Sequence, residues 1–590
     1  MTTSKYIYAF AAAAALTLSS CSGFLDTPSD TRVDLVNTDQ VKMLMNSAYP
    51  SSNYAWPLEV MSDNTEDNNS PEGEGHLGIH YNLGAYDRGD DEMFRWETCQ
   101  SNTGTDSPSA IWEGFYNSTA VANAVMERLD QWREENGGLD ATQTAIYAEA
   151  QILRAYNHFI LAQIFCQPYR GSLSQAYLGI PYITKPEVTV KPHYERGNLE
   201  ETYKMIQADL EAALPNIDNT IYEVPKYHFN SSAAYAFAAR FYLFTRQYQK
   251  ALDAANVVFG GAEVDPTPYL SNIWSKLDAM TYISDMGLYQ DNIDKAGNFL
   301  LYPTYSVQLR RMSGGRRYGV IRDALNATIH GSSPVWSAFQ WTVTRGKDKK
   351  SFTMHPCFNG ICIVNGQAEY GYGMCGNVAE QFEYTDKISG IGYPHITRRE
   401  FYGEETLLVR AEAKLFLGDI AGAIRDLDYW EKPRRNCPSG KGKESDFRDF
   451  SQANIQAFYG DRDPGYGIAK EIHIDQICPL ENNPLNPKAN EGVVATSSIM
   501  PYLQCVQHMR RIETIHKGLR WFDIKRFGLE FDRKIGNGQA PEYHTMDHLG
   551  IEDPRKAVAL PAEVVAAGLQ PNPGPVTKTV QSSSELVRVY

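Results

Sequence analysis

The chain has 590 residues, 43% of them hydrophobic and 21% charged, with 55 Lys and Arg against 71 Asp and Glu for a net charge of −16. That composition excludes wholesale disorder, the length permits a large buried core, and the acidic balance disfavours a phosphate-binding groove and so nucleic acid as a partner. Tyrosine is abundant, with 36 residues beside 9 Trp, and such amphipathic rings suit surfaces that meet a glycan or another protein.

The chain opens as an export signal. Lys5 and the amino terminus precede an apolar run from Tyr6 to Leu18, about 13 residues and too short to span a bilayer. The run ends in Leu18-Ser19-Ser20-Cys21, small residues before a cysteine, which resembles the lipobox of bacterial lipoproteins. This spacing predicts cleavage after residue 20, acylation of Cys21 and a polar stalk over residues 21–38 ahead of a single domain over 39–590. Several acyl chains hold a protein stably on a membrane where one does not. No later stretch is apolar enough for a transmembrane helix. Eight cysteines remain after Cys21. An even count in an exported chain permits disulfides, with one pair expected among Cys357, Cys362 and Cys375 and buried free thiols as the alternative.

Helical periodicity comes next. Ile111–Trp132 carries Trp112, Phe115, Tyr116, Val121 and Val125. Thr142–Phe165 has no Gly or Pro and a stripe of Ile146, Ala150, Leu153, Tyr156, Ile160 and Ile164, stopped by Pro168. Leu199–Leu214 follows, then a pair at Ser231–Phe244 and Tyr248–Phe259, and a second pair at Glu404–Leu417 and Ile420–Trp430. The two pairs share small or apolar residues at matching positions, Ala251 and Ala255 in one and Ala423 and Leu427 in the other, in the manner of tetratricopeptide repeats. The prediction is a mainly α scaffold of helix pairs interrupted by insertions. Between residues 260 and 399 the helical signal gives way to Tyr, Gly, Trp and Pro, and residues 54–104 have a similar aromatic, acidic character. A stretch of that length is seldom idle.

Motifs for chemistry are weak. Gly371-Tyr-Gly-Met-Cys-Gly376 matches G-x-G-x-x-G but lacks a βαβ surround, so it reads as a loop. His76 with His80, and His544 with His548, are four apart in Gly- or Pro-flanked stretches and read as loop histidines rather than metal ligands. Asp63 to Glu74 places oxygen ligands as a calcium loop would, with Asn68 where the turn needs Gly, and reads as a polar loop. Arg510–Gly528 is basic, yet Ile515, Leu519 and Phe522 form an apolar stripe, so Arg520, Asp523 and Arg526 are expected to be structural ion pairs. No cofactor or metal site is expected.

Several segments together resemble the SusD/RagB family of outer-membrane lipoproteins: Cys21-Ser-Gly-Phe-Leu-Asp-Thr-Pro28, Trp112-Glu-Gly-Phe-Tyr116, Ala148-Glu-Ala-Gln-Ile-Leu-Arg-Ala-Tyr156, Ile180-Pro-Tyr-Ile-Thr184 as a strand, Leu407–Ala413, Gly518-Leu-Arg-Trp-Phe-Asp-Ile-Lys-Arg-Phe-Gly528, Ala559–Glu563 and Asn572-Pro-Gly574. Lys517 departs from the family, which has Glu there. The resemblance implies four tetratricopeptide-like helix pairs under a variable ligand face. It also implies a non-catalytic protein that captures a nutrient, usually a glycan, for a TonB-dependent transporter of the SusC type. A surface glycoside hydrolase, which needs two carboxylates ~5–10 Å apart, and a peptide-binding scaffold are the alternatives. Tyr86, Trp96, Trp274, Tyr289 and Trp336, all in the two irregular regions, are the candidate ligand-stacking rings.

Overall fold

The computed structural model describes residues 35–67, 72–73, 76–77, 87–187, 189, 193–271, 283–312, 317–319, 332–336, 339–345, 348–354, 378–434, 447–460, 470–536 and 543–573. Cys21, Tyr86, Trp274, the Gly371–Gly376 loop, His80 and the cysteines 357, 362 and 375 lie outside them. The chain divides into two units, residues 1–43 and 44–590. Of the first, residues 35–43 are described and begin the helix Thr38–Met45.

The second unit is a mainly helical scaffold. Its long helices are α1 (Pro108–Asn136), α2 (Ala141–Phe165), α3 (Leu199–Ala213), α4 (Ser231–Phe244), α5 (Tyr248–Phe259), α6 (Gly403–Phe416), α7 (Ile420–Glu431), α8 (Thr496–Glu513) and α9 (Leu519–Phe527). Caps fix most of their starts. Ser107 precedes Pro108 and accepts from Ala110 N, Asp140 and Gln143 form a reciprocal capping box, and Asn198 and Asn230 cap α3 and α4. Consecutive helices pack as pairs, α1 on α2, α2 on α3, α4 on α5 and α6 on α7.

The two pairs that look alike in sequence also meet in space. Helix α6 packs on α4 and α5, and Tyr248 stacks on Phe416 at 4.1 Å between ring centroids and 9° between planes. Their turns correspond as well. Gly418 sits at φ 82 in one, where a left-handed residue is needed and glycine adopts it freely. The matching residue in the other turn is Arg246, at φ 57. A non-glycine residue there is strained, and Arg246 is held by bonds from its guanidinium to Tyr248 Oη at 2.9 Å, Asp475 at 2.8 Å and the Cys478 carbonyl.

The polar residues of the scaffold motifs have identifiable tasks. Arg154 makes a two-pronged ion pair with Asp209, at 2.7 and 2.8 Å, joining α2 to α3. Glu149 accepts from Tyr49 Oη at 2.7 Å and lies 2.8 Å from His228 Nδ1. Tyr156 meets Tyr302 Oη at 2.9 Å. Residues 180–184 are extended but pair with no strand, contrary to the strand expected there. Side chains of α1 and α2 take their backbone groups instead: Tyr116 Oη donates to Pro181 O, Asn123 Nδ2 to Ile183 O, and Ile183 N donates to His158 Nε2.

Within residues 260–399, the irregular region of the sequence analysis, the described residues contain strands. The main sheet has order β1 (Asn298–Tyr305), β3 (Ile391–Tyr402), β2 (Glu380–Asp386), all antiparallel. A hairpin pairs 339–345 with 348–354. Near its base β3 is buried on both faces, while β2 is exposed along nearly its whole length. A two-residue alternation therefore never appears in the sequence, since it requires one wet and one dry face.

Ionic pairs fill much of the interior. Glu405 receives Arg240 and Arg510, Glu400 receives Arg240, Arg398 and Tyr54 Oη, and Asp523 receives Arg510 and Arg526, which also holds Glu412. The structural reading of Arg520, Asp523 and Arg526 holds, with Arg520 paired to Asp63 at 2.7 Å. Asp63, the first residue of the calcium-like spacing, also faces Arg511 and Lys470, and these cations hold its carboxyl well below the usual range. Lys517 lies over the Tyr402 ring at 3.8 Å and near Glu513. Cys99, Cys166, Cys478 and Cys505 are buried free thiols. Among the described residues no group of His, Cys, Asp and Glu is arranged to hold a metal ion, and no helix is long and apolar enough to cross a membrane.

Candidate functional site

The candidate stacking rings occupy different environments. Trp96 is 7% exposed, donates from Nε1 to Met61 O at 2.9 Å, meets Phe531 edge-on and carries the Arg533 guanidinium 4.5 Å from its ring centre. Trp336 is 2% exposed and bridges to Phe447. Neither offers an open ring face in this structure. Tyr289 is half-buried, with Lys295 Nζ 3.1 Å from its ring centre.

The structure instead brings other rings together on the three-stranded sheet. Cross-strand pairing sets Tyr305 on β1 opposite His395 on β3, His395 opposite Gln381 on β2, and Tyr393 opposite Glu383. Side chains alternate between faces along a strand, and directly paired residues share a face. Tyr305, Tyr393, His395, Gln381 and Glu383 therefore lie on one face. Tyr305 is 44% exposed, and Gln381 and Glu383 are exposed. The two tyrosines meet edge to face, 4.6 Å between centroids at 74°, and form a corner. A hydrogen bond to Tyr305 pushes the Tyr393 phenol above its ordinary value.

The corner is held from behind. Tyr305 N donates to Ser51 O at 2.7 Å. The next two residues are gripped by Asp106, whose carboxylate accepts from Ser306 Oγ at 2.8 Å and Val307 N at 2.9 Å. Asp106 itself has φ 58, is buried, and its carboxyl is pushed up to about 6 by that burial. Arg310, on the short helix Gln308–Met312, donates to Glu380 at the start of β2 at 2.5 Å, tying both edges of the sheet to one helix.

Two aromatic faces at a right angle, with an amide, an imidazole and a carboxylate beside them, form a surface suited to a ligand with apolar faces and hydroxyl edges. The rings take C–H faces and the polar groups take hydroxyls. The sequence signal for it was present in the Tyr-Pro-Thr-Tyr305 and Tyr393-Pro-His395 segments, but nothing local indicated that they become neighbouring strands.

Comparison with known proteins places these observations. Residues 23–243 match the family model SusD-like_3, described as starch-binding and associating with the outer membrane. Among solved structures, a SusD superfamily protein of Bacteroides thetaiotaomicron superposes with a TM-score of 0.53 at 16% identity, covering 91% of this chain and 100% of that one. A Bacteroides vulgatus member gives 0.52 at 15%, covering 91% and 99%, and a Bacteroides fragilis member gives 0.50 at 14%, covering 90% and 98%. No curated protein matches the chain. The fold is that of the SusD superfamily.

Proposed function

We propose that this chain, SusD-like in sequence over residues 23–243 and in fold over 91% of its length, is a non-catalytic, surface-exposed lipoprotein. It binds a neutral oligo- or polysaccharide and delivers it to a TonB-dependent, SusC-like transporter in the outer membrane. The observation that carries the binding reading is the corner of the exposed Tyr305 and the half-buried Tyr393, flanked by Gln381, Glu383 and His395. Two stacking walls fix the sugar ring, and the polar side chains sort its hydroxyls. No step in that task makes or breaks a covalent bond, so affinity need only be strong enough to hold a ligand that is soon released.

The test is binding without turnover. Purified protein should bind at least one soluble polysaccharide in affinity electrophoresis and release no reducing sugar from it. Tyr305→Ala and Tyr393→Ala should each weaken binding by about 1–3 kcal/mol, the range for a desolvated aromatic anchor, with the thermal midpoint little changed because both rings are at the surface. Salt should have little effect, since a neutral ligand gives screening nothing to act on. Release of reducing sugar that disappears on mutating one carboxylate would favour a hydrolase instead.

Membrane attachment rests on Leu18-Ser19-Ser20-Cys21, and transport on the need for a partner that spans the membrane. One preparation checks both. Tagged protein extracted from outer membranes in mild detergent should carry acyl chains on Cys21 and bring a barrel-sized partner with it. A mature amino terminus without acylation, or recovery of the protein alone, would count against the respective claim.

A further inference from the structure

The two-stranded arm β2–β3 carries a second aromatic pair that the corner does not use. Phe382 and Tyr384 are 42% and 52% exposed, with rings 4.9 Å apart at 70°. Their cross-strand partners are Pro394 and Gly392. Because Phe382 and Tyr384 flank Glu383 along β2, they lie on the face opposite the Tyr305–Tyr393 corner. Gly392 is needed there. A Cβ at that position would lie 2.7 Å from Phe382 Cε1 and 1.9 Å from the Glu383 carbonyl oxygen. The phenyl ring is thus set down across the bare backbone of β3, with its outer side in solvent. The turn that closes the arm is organised by Asp386, which accepts from Ile388 N at 2.8 Å and Ser389 N at 3.2 Å, with Gly390 at φ 65.

We propose that Phe382 and Tyr384 form a second sugar-stacking platform, and that the physiological ligand is a polysaccharide long enough to engage both faces of the arm. The inference rests on the glycan-binding reading and narrows its ligand class from oligo- or polysaccharides to polysaccharides that span both faces of the arm. Two features of the arm select this occupant. Half-exposed aromatic side chains present roughly 200 Å² between them, far short of the ~800 Å² per partner in a stable protein interface. The exposed charges of the arm are Glu383, Asp386 and Lys387, a net negative set within a chain of net charge −16, which disfavours anionic lipid and nucleic acid. A neutral chain with repeated apolar faces meets both conditions. The arm is a thin ribbon, and among the described residues the edge strand β2 has no neighbour on its outer side in the sheet order. A polymer can therefore pass over that edge from the tyrosine corner to the phenylalanine ring. Two linked weak contacts hold a long ligand far better than either alone.

The experiment compares long and short ligands. Full-length soluble protein is run in native gels containing starch, mixed-linkage β-glucan, xylan or mannan, and is titrated calorimetrically with a tetrasaccharide of the retarding sugar. The variants are Phe382→Ala with Tyr384→Ala, Tyr305→Ala, and Ile388→Ser as a control at the 99% exposed tip of the same arm. The double variant should lose about tenfold or more in polymer affinity, the effect of removing one of two linked contacts, while tetrasaccharide affinity stays at the wild-type value. Tyr305→Ala should lose both, and Ile388→Ser neither. Unchanged polymer affinity in the double variant overturns the second platform and leaves the glycan reading intact. Equal loss of polymer and tetrasaccharide shows a single site and also overturns it. If no polysaccharide retards the wild-type protein, the glycan reading itself fails, and this inference with it.

Discussion

Replacing Glu405 with alanine is expected to cost about 3–5 kcal/mol of folding free energy, the loss seen when one partner of a buried ion pair is removed. Glu405 is fully buried and receives Arg240 and Arg510, each at 3.3 Å at closest. The surrounding set is balanced, with Arg240, Arg398, Arg510 and Arg526 against Glu400, Glu405, Glu412 and Asp523, all of them buried. Desolvation opposes every one of these charges, and only mutual pairing offsets it. Without Glu405 the set keeps one excess guanidinium charge with no water to solvate it. Glu405→Gln keeps the shape and one acceptor, so it should fall between wild type and alanine. Lys250→Ala is the contrasting case. Its pair with Glu211 is shorter, at 2.7 Å, but both side chains are about half exposed, and the change should stay within ~1 kcal/mol. Urea titration of the three variants checks the order, and a loss below that of Lys250→Ala for Glu405→Ala would show that the network contributes no net stability.

The helices were legible in the sequence because their signals are local. An apolar stripe every three to four residues is the main one, helped by Asn230 at the start of α4 and Gly260 at the end of α5, and both helices begin and end at the residues the pattern indicates, Ser231–Phe244 and Tyr248–Phe259. What lay beyond reach depends on contacts distant along the chain. Glu405 and Arg510 are 105 positions apart, and Arg526 and Glu412 are 114 apart, so no window of sequence reports that they pair. The sheet escaped for a related reason, since β3 is dry on both faces at its base. The turn Asp386-Lys-Ile-Ser-Gly390, with its Asp and Gly, was a local mark of a hairpin.

The candidate site divides in the same way. Composition showed that aromatic rings would matter, but the position of each ring is a tertiary fact. Trp96 and Trp336 went into the interior, where a large ring contributes most by burial, and smaller tyrosines stayed on the sheet surface. Tyr305 and Tyr393 are brought together only by strand register, and that register depends on β1 pairing with a strand some 90 residues later.

Lys525→Met should destabilise the protein by about 2–4 kcal/mol above about pH 10, where the lysine is neutral, through carbonyls left without donors, and should also alter how stability depends on pH, because at lower pH the methionine also removes the cost of burying an ammonium. A helix ends with carbonyls that have no partner in the next turn. At the end of α2 Ala162 O takes Cys166 N, and the carbonyls after it find donors elsewhere in the chain. Lys525 Nζ donates to Gln163 O and Cys166 O, Val558 N to Ile164 O, and Arg196 and Asn572 to Phe165 O. The late Lys525 and Asn572 motifs thus close the end of the earlier Glu149–Tyr156 helix, and cations there also suit the negative end of the helix dipole. Lys525 is buried beside Lys556 and the Cys166 thiol. Desolvation pushes its ammonium down to about 7, opposed in part by Cys166 and helped by Lys556. In the unfolded chain a lysine titrates near ~10.4. Between those values the unfolded state holds a proton that the folded state has released, so stability rises with pH across that window. Below it both states are protonated, and above it neither is, so the slope vanishes at each end. A methionine side chain at this position carries no proton in either state. The Lys525→Met variant should therefore lose up to about 1.4 kcal/mol per pH unit of that rise between about pH 8 and 10. Denaturant midpoints of both proteins at about pH 6, 8.5 and 11, below, within and above that window, give the comparison. Parallel curves would mean that Lys525 keeps its charge in the fold, with the two carbonyls holding the ammonium against burial.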